Sequence, residues 1–272
     1  MKTVRAFSLI AVIAFAAAPV FAQRQESLPA ELESVGIDEH LGENVPLEAA
    51  FTDELGRPVT LARYFESGRP VILNLGYFSC PMLCGLVTNG MMEGMAGLAW
   101  MPGDRFDVVT LSIDPLESHT LAKLKKQNYI KEFGRPGAAT GWHFLTGAEP
   151  QIKMVTEAVG FNYAWNDDRK EYAHAAALFV LTPEGKISRY LYGIEYSPKD
   201  LRLALLEASE GKMGSAFDRI LLYCFHYDSA KGRYAPAAMN MMRGGGILTI
   251  LVLGAAILVM KARETRRADS AA

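Results

Sequence analysis

The sequence predicts an α/β fold, a small mixed sheet with helices on both faces. Three observations predict it. Two compact apolar runs, Pro70 to Tyr77 (PVILNLGY) and Phe106 to Ile113 (FDVVTLSI), each precede a stretch with helical spacing. Two further strand-like runs, Ala175 to Thr182 and Lys186 to Gly193, are joined by Pro183-Glu184-Gly185 as a turn. The resulting order, βαβα followed by a hairpin and a helix, is that of a layered mixed sheet. With 272 residues, 50% hydrophobic and 21% charged, the chain buries one sizeable core, which excludes disorder and a collagen-like repeat. It carries no internal repeat.

Residues 1–22 read as a secretory signal. Lys2 and Arg5 precede an apolar run from Ala6 to Ala18, too short to cross a bilayer, and Val20-Phe21-Ala22 forms a small-residue cleavage site. Residues 23–50 are acidic and weakly patterned, a leader into the domain assigned to 51–212. Within it, Phe51 to Val59 carries a turn at Gly56, and Pro70 to Tyr77 forms a buried strand. A helix follows from Pro81 to about Ala99, where Leu83, Cys84, Val87, Met91, Met95 and Leu98 recur at steps of three and four. The strand Phe106 to Ile113 ends at Asp114-Pro115. A charged helix runs from about Glu117 to Phe133 and another from Pro150 to Val159. After the hairpin, Ser197-Pro198 opens the last helix, with Asp200 three residues beyond the serine.

Beyond a juxtamembrane segment at 213–243, residues 244–260 are uncharged (GGGILTILVLGAAILVM). Seventeen residues rise about 26 Å, near the lower limit for a hydrocarbon core of about 30 Å, so a transmembrane helix is expected there. Lys261, Arg263, Arg266 and Arg267 outweigh Glu264 and Asp269 in the tail at 261–272, which puts that tail on the cytoplasmic side. The expected arrangement is an exported domain tethered at its C-terminus to a bacterial-type inner membrane, on the periplasmic side. Residues 23–243 hold 22 basic and 28 acidic side chains, a net of −6, and no electropositive field is present to hold a nucleic acid.

The chemistry concentrates at Tyr77-Phe78-Ser79-Cys80-Pro81-Met82-Leu83-Cys84. Proline suits the first helical position, so Cys80 is expected as the cap and Cys84 one turn inside, both thiols on one helix face. The partial positive charge of a helix N-terminus favours thiolates, which are nucleophilic and ligand-competent at neutral pH. The i, i+4 spacing also falls within reach of a disulfide. Dithiol, disulfide and metal thiolate are all open to such a pair, as is the plainer role of two cysteines on a core helix. The soft ion Cu(I) accepts two thiolates and a nitrogen donor, and five histidines compete for that place. His174, just before a predicted strand, has the best geometry. His119 opens a charged helix and His143 lies beside Trp142, positions that suit solvated or packing roles; His40 lies in the leader.

The strand-CysxxxCys-helix unit, Ser112-Ile113-Asp114-Pro115, Trp142 to Gly147 (WHFLTG) and His174 to Gly185 (HAAALFVLTPEG) together resemble the SCO/SenC family, in consistent order over about residues 45–210. The resemblance implies a thioredoxin-like fold and copper, Cu(I) or Cu(II), held by Cys80, Cys84 and His174, with Asp114 as a nearby acidic residue. It implies a role in assembling the binuclear copper centre of cytochrome c oxidase subunit II, by delivering copper or by reducing that subunit's cysteines. The sequence departs from the family pattern at Gly85, where proline is common after the second cysteine, and at Ser118, where an acidic residue often stands. Its anchor is expected at the C-terminus, whereas many members carry one at the N-terminus.

Two functions follow from the resemblance. A metallochaperone would transfer copper by ligand exchange; a thiol-disulfide oxidoreductase would cycle Cys80 and Cys84. A peroxidase-like relative is a more distant third. Cys224-Phe225-His226 adds a thiol and an imidazole ahead of the membrane, either a secondary copper site or a core cysteine beside a surface histidine. Met239, Met241 and Met242, like Met82, Met91, Met92 and Met95, are read first as packing residues and second as thioether donors.

Overall fold

The computed structural model describes residues 35–212 continuously and, beyond them, only 227–228, 233–234, 246–247, 249–255 and 257. The expected signal at 1–22 and the Cys224-Phe225-His226 motif lie outside the described residues, as do seven of the seventeen residues of the expected span at 244–260. Among the described residues no helix is long and apolar enough to cross a membrane.

The elements that carry the fold are, in chain order, β1 (Gly36–Ile37), β2 (Ala50–Asp53), β3 (Pro58–Thr60), β4 (Val71–Gly76), α1 (Leu83–Ala96), β5 (Asp107–Ser112), α2 (His119–Phe133), β6 (Trp142–Thr146), α3 (Glu149–Ala158), β7 (Phe161–Asn166), β8 (Glu171–His174), β9 (Ala177–Leu181), β10 (Ile187–Tyr192) and α4 (Pro198–Ser209). Seven strands form one sheet in the order β10-β9-β4-β5-β6-β2-β3. The pairs β4/β5 and β5/β6 are parallel, and β9, β10, β2 and β3 join antiparallel. This is the expected mixed sheet flanked by helices, thioredoxin-like in arrangement. Every residue of β4 and β5 is buried, as parallel strands covered on both faces require.

Side-chain alternation sorts the core. Ile72, Val108, Trp142, Phe144, Leu178 and Val180 point to one sheet face, where Val87, Met91 and Met95 of α1, Ala122 of α2 and Leu201, Ala204 and Leu205 of α4 meet them. Three helices, α1, α2 and α4, thus share this face. Met91 is fully buried there, so Met91→Ala would cost about 2–5 kcal/mol. The first reading of Met91, Met92 and Met95 as packing residues holds. Close approach also shapes α1: a Cβ at Gly90 would stand 1.9 Å from the Ile194 carbonyl oxygen and one at Gly94 2.7 Å from that of Tyr196, so only glycine lets the chain entering α4 lie against this helix.

Capping follows the sequence at two helices. Ser197 Oγ accepts from Asp200 N at the start of α4, whose first residue is Pro198. Ser118 is the N-cap of α2 and accepts from Leu121 N. At the other end of α2, Gly134 takes the left-handed conformation that closes a helix (φ 70°).

A smaller unit comprises residues 35–38 together with Gly160–Ala175. Its three-stranded antiparallel sheet runs β1-β7-β8, with Tyr163 opposite His174 and Trp165 opposite Tyr172. Sequence periodicity places no strand at β7, β8 or β6.

Candidate metal centre

The parallel strands β4 and β5 end side by side, with Gly76 in register with Ser112. Carboxyl ends of adjacent parallel strands are where α/β sheets present ligand sites. The chain leaving β4 turns over Tyr77–Cys80, where Cys80 N donates to the Tyr77 carbonyl at 3.3 Å. That turn delays the helix. Pro81 is not its first residue: α1 begins at Leu83 with Met82 as N-cap, so Cys80 lies in the approach and Cys84 in the first turn. The expected cap role survives in a different form, because Cys80 Sγ accepts from Cys84 N at 3.4 Å. Cys84 Sγ in turn accepts from Tyr77 N at 3.4 Å.

Space for the second sulfur comes from Gly76. A Cβ there would lie 3.0 Å from Cys84 Sγ and 3.3 Å from its Cβ. Below it, Thr88 Oγ1 donates to the Cys84 carbonyl at 2.8 Å and accepts from Asn74 Nδ2 at 3.3 Å. Both cysteines are half-buried. Met82, between them in sequence, is 70% exposed, so its first reading as core filling is overturned. The expectation of two low-lying thiols is overturned for Cys84, whose thiol is pushed up by its hydrogen bond with the Cys80 sulfur and then by burial.

His174 ends β8 and is buried. Its Nδ1 stands 2.9 Å from the Ala175 carbonyl oxygen, an acceptor, so Nδ1 carries the proton and Nε2 keeps its lone pair. Phe161 contacts the imidazole ring at 5.7 Å between centroids. One ligand atom each from Cys80, Cys84 and His174 lies within 4.8 Å of the others, and among the described residues this is the group of donors placed to hold an ion. Two sulfurs and an imidazole nitrogen fit a soft or borderline transition metal, and they suit calcium or magnesium poorly.

The remaining candidates sort differently. Asp114, expected near the metal, turns its carboxylate to Leu116 N at 2.8 Å, and it is not one of the grouped donors. The acidic side chain that reaches the cysteine turn is Glu117, which spacing does not single out. His143 sits on β6 against the Tyr64 ring at 4.6 Å, and burial with the nearby Lys126 charge pushes it down to about 4. His119 is the first residue of α2, as expected, and lies against Gly56. His40, assigned no role, places Nδ1 3.0 Å from the Ala158 carbonyl oxygen and fastens the leader to the end of α3.

A family model described as SCO1/SenC matches residues 42–207. No curated protein sequence matches the chain. Among solved structures, a candidate electron transfer protein from Aquifex aeolicus is 26% identical, covers 63% of this chain and 95% of its own, and superposes with a TM-score of 0.55. A SCO1/SenC family lipoprotein from Bacillus anthracis is 18% identical over 64% of this chain and 99% of its own, with a TM-score of 0.51. Arabidopsis thaliana ScoI, solved with copper bound, is 20% identical over 63% of this chain and 99% of its own, with a TM-score of 0.46. The family match spans more than half of the sequence and encloses both cysteines and the histidine, so the chain belongs to the SCO1/SenC family.

Proposed function

We propose that this protein binds copper through Cys80, Cys84 and His174 and hands it on during assembly of the copper centre of cytochrome c oxidase subunit II. The observation that carries the reading is the convergence of two sulfurs and one imidazole within 4.8 Å. That donor set is the one Cu(I) prefers, and the hydrogen bond from Nδ1 to the Ala175 carbonyl fixes the orientation of the His174 ring. Both cysteines are only partly buried, and ligand exchange with an acceptor needs such access. Membership of a family named for oxidase assembly supports the choice of acceptor. The signal at 1–22 and the apolar run at 244–260 support an exported domain tethered to a bacterial-type inner membrane, with the tail cytoplasmic.

A competition titration tests this: the full chain in detergent against a chromophoric Cu(I) chelator. Cys80→Ser or Cys84→Ser should abolish tight binding, and His174→Ala should weaken it about tenfold or more. Undiminished affinity in His174→Ala overturns the three-donor reading.

One observation favours a second reading. Cys80 Sγ accepts from Cys84 N at 3.4 Å and the two sulfurs are hydrogen-bonded, the proximity that an attacking sulfur and its resolving partner need. In that reaction Cys80 attacks a partner disulfide, forms a mixed disulfide and releases one partner thiolate. Cys84 then attacks Cys80 Sγ, releasing the second, so the partner gains the two electrons this dithiol loses. Retention of disulfide reduction by His174→Ala, alongside lost oxidase assembly, would separate the two activities in favour of copper delivery.

A further inference from the structure

The turn that presents Cys80 buries Phe78 in the core against Phe144, and its backbone is fastened at two successive residues by one side chain. Glu117 Oε2 accepts from Phe78 N at 2.7 Å and from Ser112 Oγ at 2.6 Å. Its Oε1 accepts from Ser79 N at 2.6 Å and from Ser79 Oγ at 2.7 Å. Four short bonds therefore use both carboxylate oxygens, and they tie the residues immediately ahead of Cys80 to the end of β5, at Ser112. Ser112 is fully buried and in register with Gly76, which gives the clamp a rigid base. Charge-assisted hydrogen bonds of this length are the strong ones.

We propose that Glu117 is the positioning residue of the dithiol: by clamping Phe78 and Ser79 to the end of β5 it fixes where Cys80 stands relative to Cys84. The inference deepens the copper reading and rests on it for its metal readout, while its effect on the two thiols stands without metal. The geometry explains why the carboxylate is needed. Both oxygens face N–H donors, so an amide would turn its own NH2 toward Phe78 N or Ser79 N and lose at least one anchor. Electrostatics alone gives no such loss, because a carboxylate near the site disfavours a neighbouring thiolate and favours an incoming cation, and the two effects oppose one another. A positioning role predicts weaker binding, and partners that orient metal ligands typically account for 10–100-fold in affinity.

The test uses the full chain in detergent, with Glu117→Gln and, as a control, the core variant Val109→Ala, which is fully buried in β5 and outside the turn. Two quantities are read: Cu(I) affinity by chelator competition, and the dithiol–disulfide equilibrium of the metal-free protein in glutathione buffer. Glu117→Gln should lower Cu(I) affinity at least tenfold and shift the thiol equilibrium severalfold, while Val109→Ala, which also melts at a lower temperature, keeps both within twofold of wild type. Unchanged affinity and thiol equilibrium in Glu117→Gln would overturn the proposal. So would equal losses in Val109→Ala, which would make the effect one of general destabilisation. If wild type bound no copper but Glu117→Gln still shifted the thiol equilibrium, the copper reading would fall and the positioning role would stand.

Discussion

Gly76→Ala separates stability from function. In the interior of a strand glycine destabilises by roughly 0.5–1 kcal/mol relative to alanine, because it has more backbone freedom to lose on folding. Gly76 lies within β4 and does not have a positive φ, so alanine fits its backbone. The only obstacle within 4 Å is Cys84, whose sulfur would stand 3.0 Å from the new methyl and its Cβ 3.3 Å. Contacts that close force the neighbour to give by a few tenths of an ångström. Metal–ligand distances hold to about ±0.2 Å, so that displacement is enough to spoil one bond of a three-donor set. The variant should therefore melt at or slightly above the wild-type temperature while its Cu(I) affinity falls about tenfold or more, in the range typical of misplaced ligands. Thermal melting and chelator competition on the same sample measure both quantities. An affinity equal to wild type would show that Cys84 does not ligate from the position seen here, and would refute the reasoning.

Other perturbations test the frame around the site. Gly90→Ala puts a methyl 1.9 Å from the Ile194 carbonyl oxygen, and the overpacking cost of about 1–3 kcal/mol exceeds the helix-propensity gain of up to about 1 kcal/mol; a melting temperature lowered by several degrees is expected, and an unchanged one would contradict the close approach. His143 is held neutral by burial and by Lys126, down to about 4 from 6.5, so the unfolded chain binds its proton first as pH falls. Stability should therefore drop between about pH 6.5 and pH 4, and denaturation curves of His143→Gln across that window should show a flatter slope. A parallel slope in the variant would assign the acid sensitivity elsewhere.

What was legible in the sequence was whatever depends on one stretch of chain. Burial on both faces makes β4 and β5 apolar without interruption, and Ser197-Pro198 with Asp200 spells out the start of α4. The hairpin β7–β8 escaped because its strands are half-buried and mixed in character, and its turn lacks glycine: Lys170 supplies the left-handed residue, φ 54°. Strand β6 escaped because five residues with His143 among them give no clean alternation. Cys80, Cys84 and His174 were named from chemistry and family likeness, which choose donors by type. Glu117 was missed for the complementary reason. Its role arises from the parallel register that sets Ser112 beside Gly76, so the acid that matters is the one whose side chain reaches back from the end of β5, and spacing from Asp-Pro favours Asp114 or position 118 instead.

The same distinction accounts for the thiols. From sequence, both cysteines sit at a helix N-terminus, which offers roughly half a positive charge and favours thiolate. The fold brings in a stronger influence at shorter range. Cys80 Sγ accepts from Cys84 N at 3.4 Å, and the hydrogen bond between the two sulfurs pushes the Cys84 thiol up, as does its burial. A direct hydrogen bond and desolvation of the ion outweigh a half charge spread over the first turn. The Cys84 proton is therefore held until a cation or an electrophilic sulfur takes its place. Both proposed chemistries begin from that state: copper entry displaces the proton, and disulfide exchange uses Cys80 first and Cys84 second.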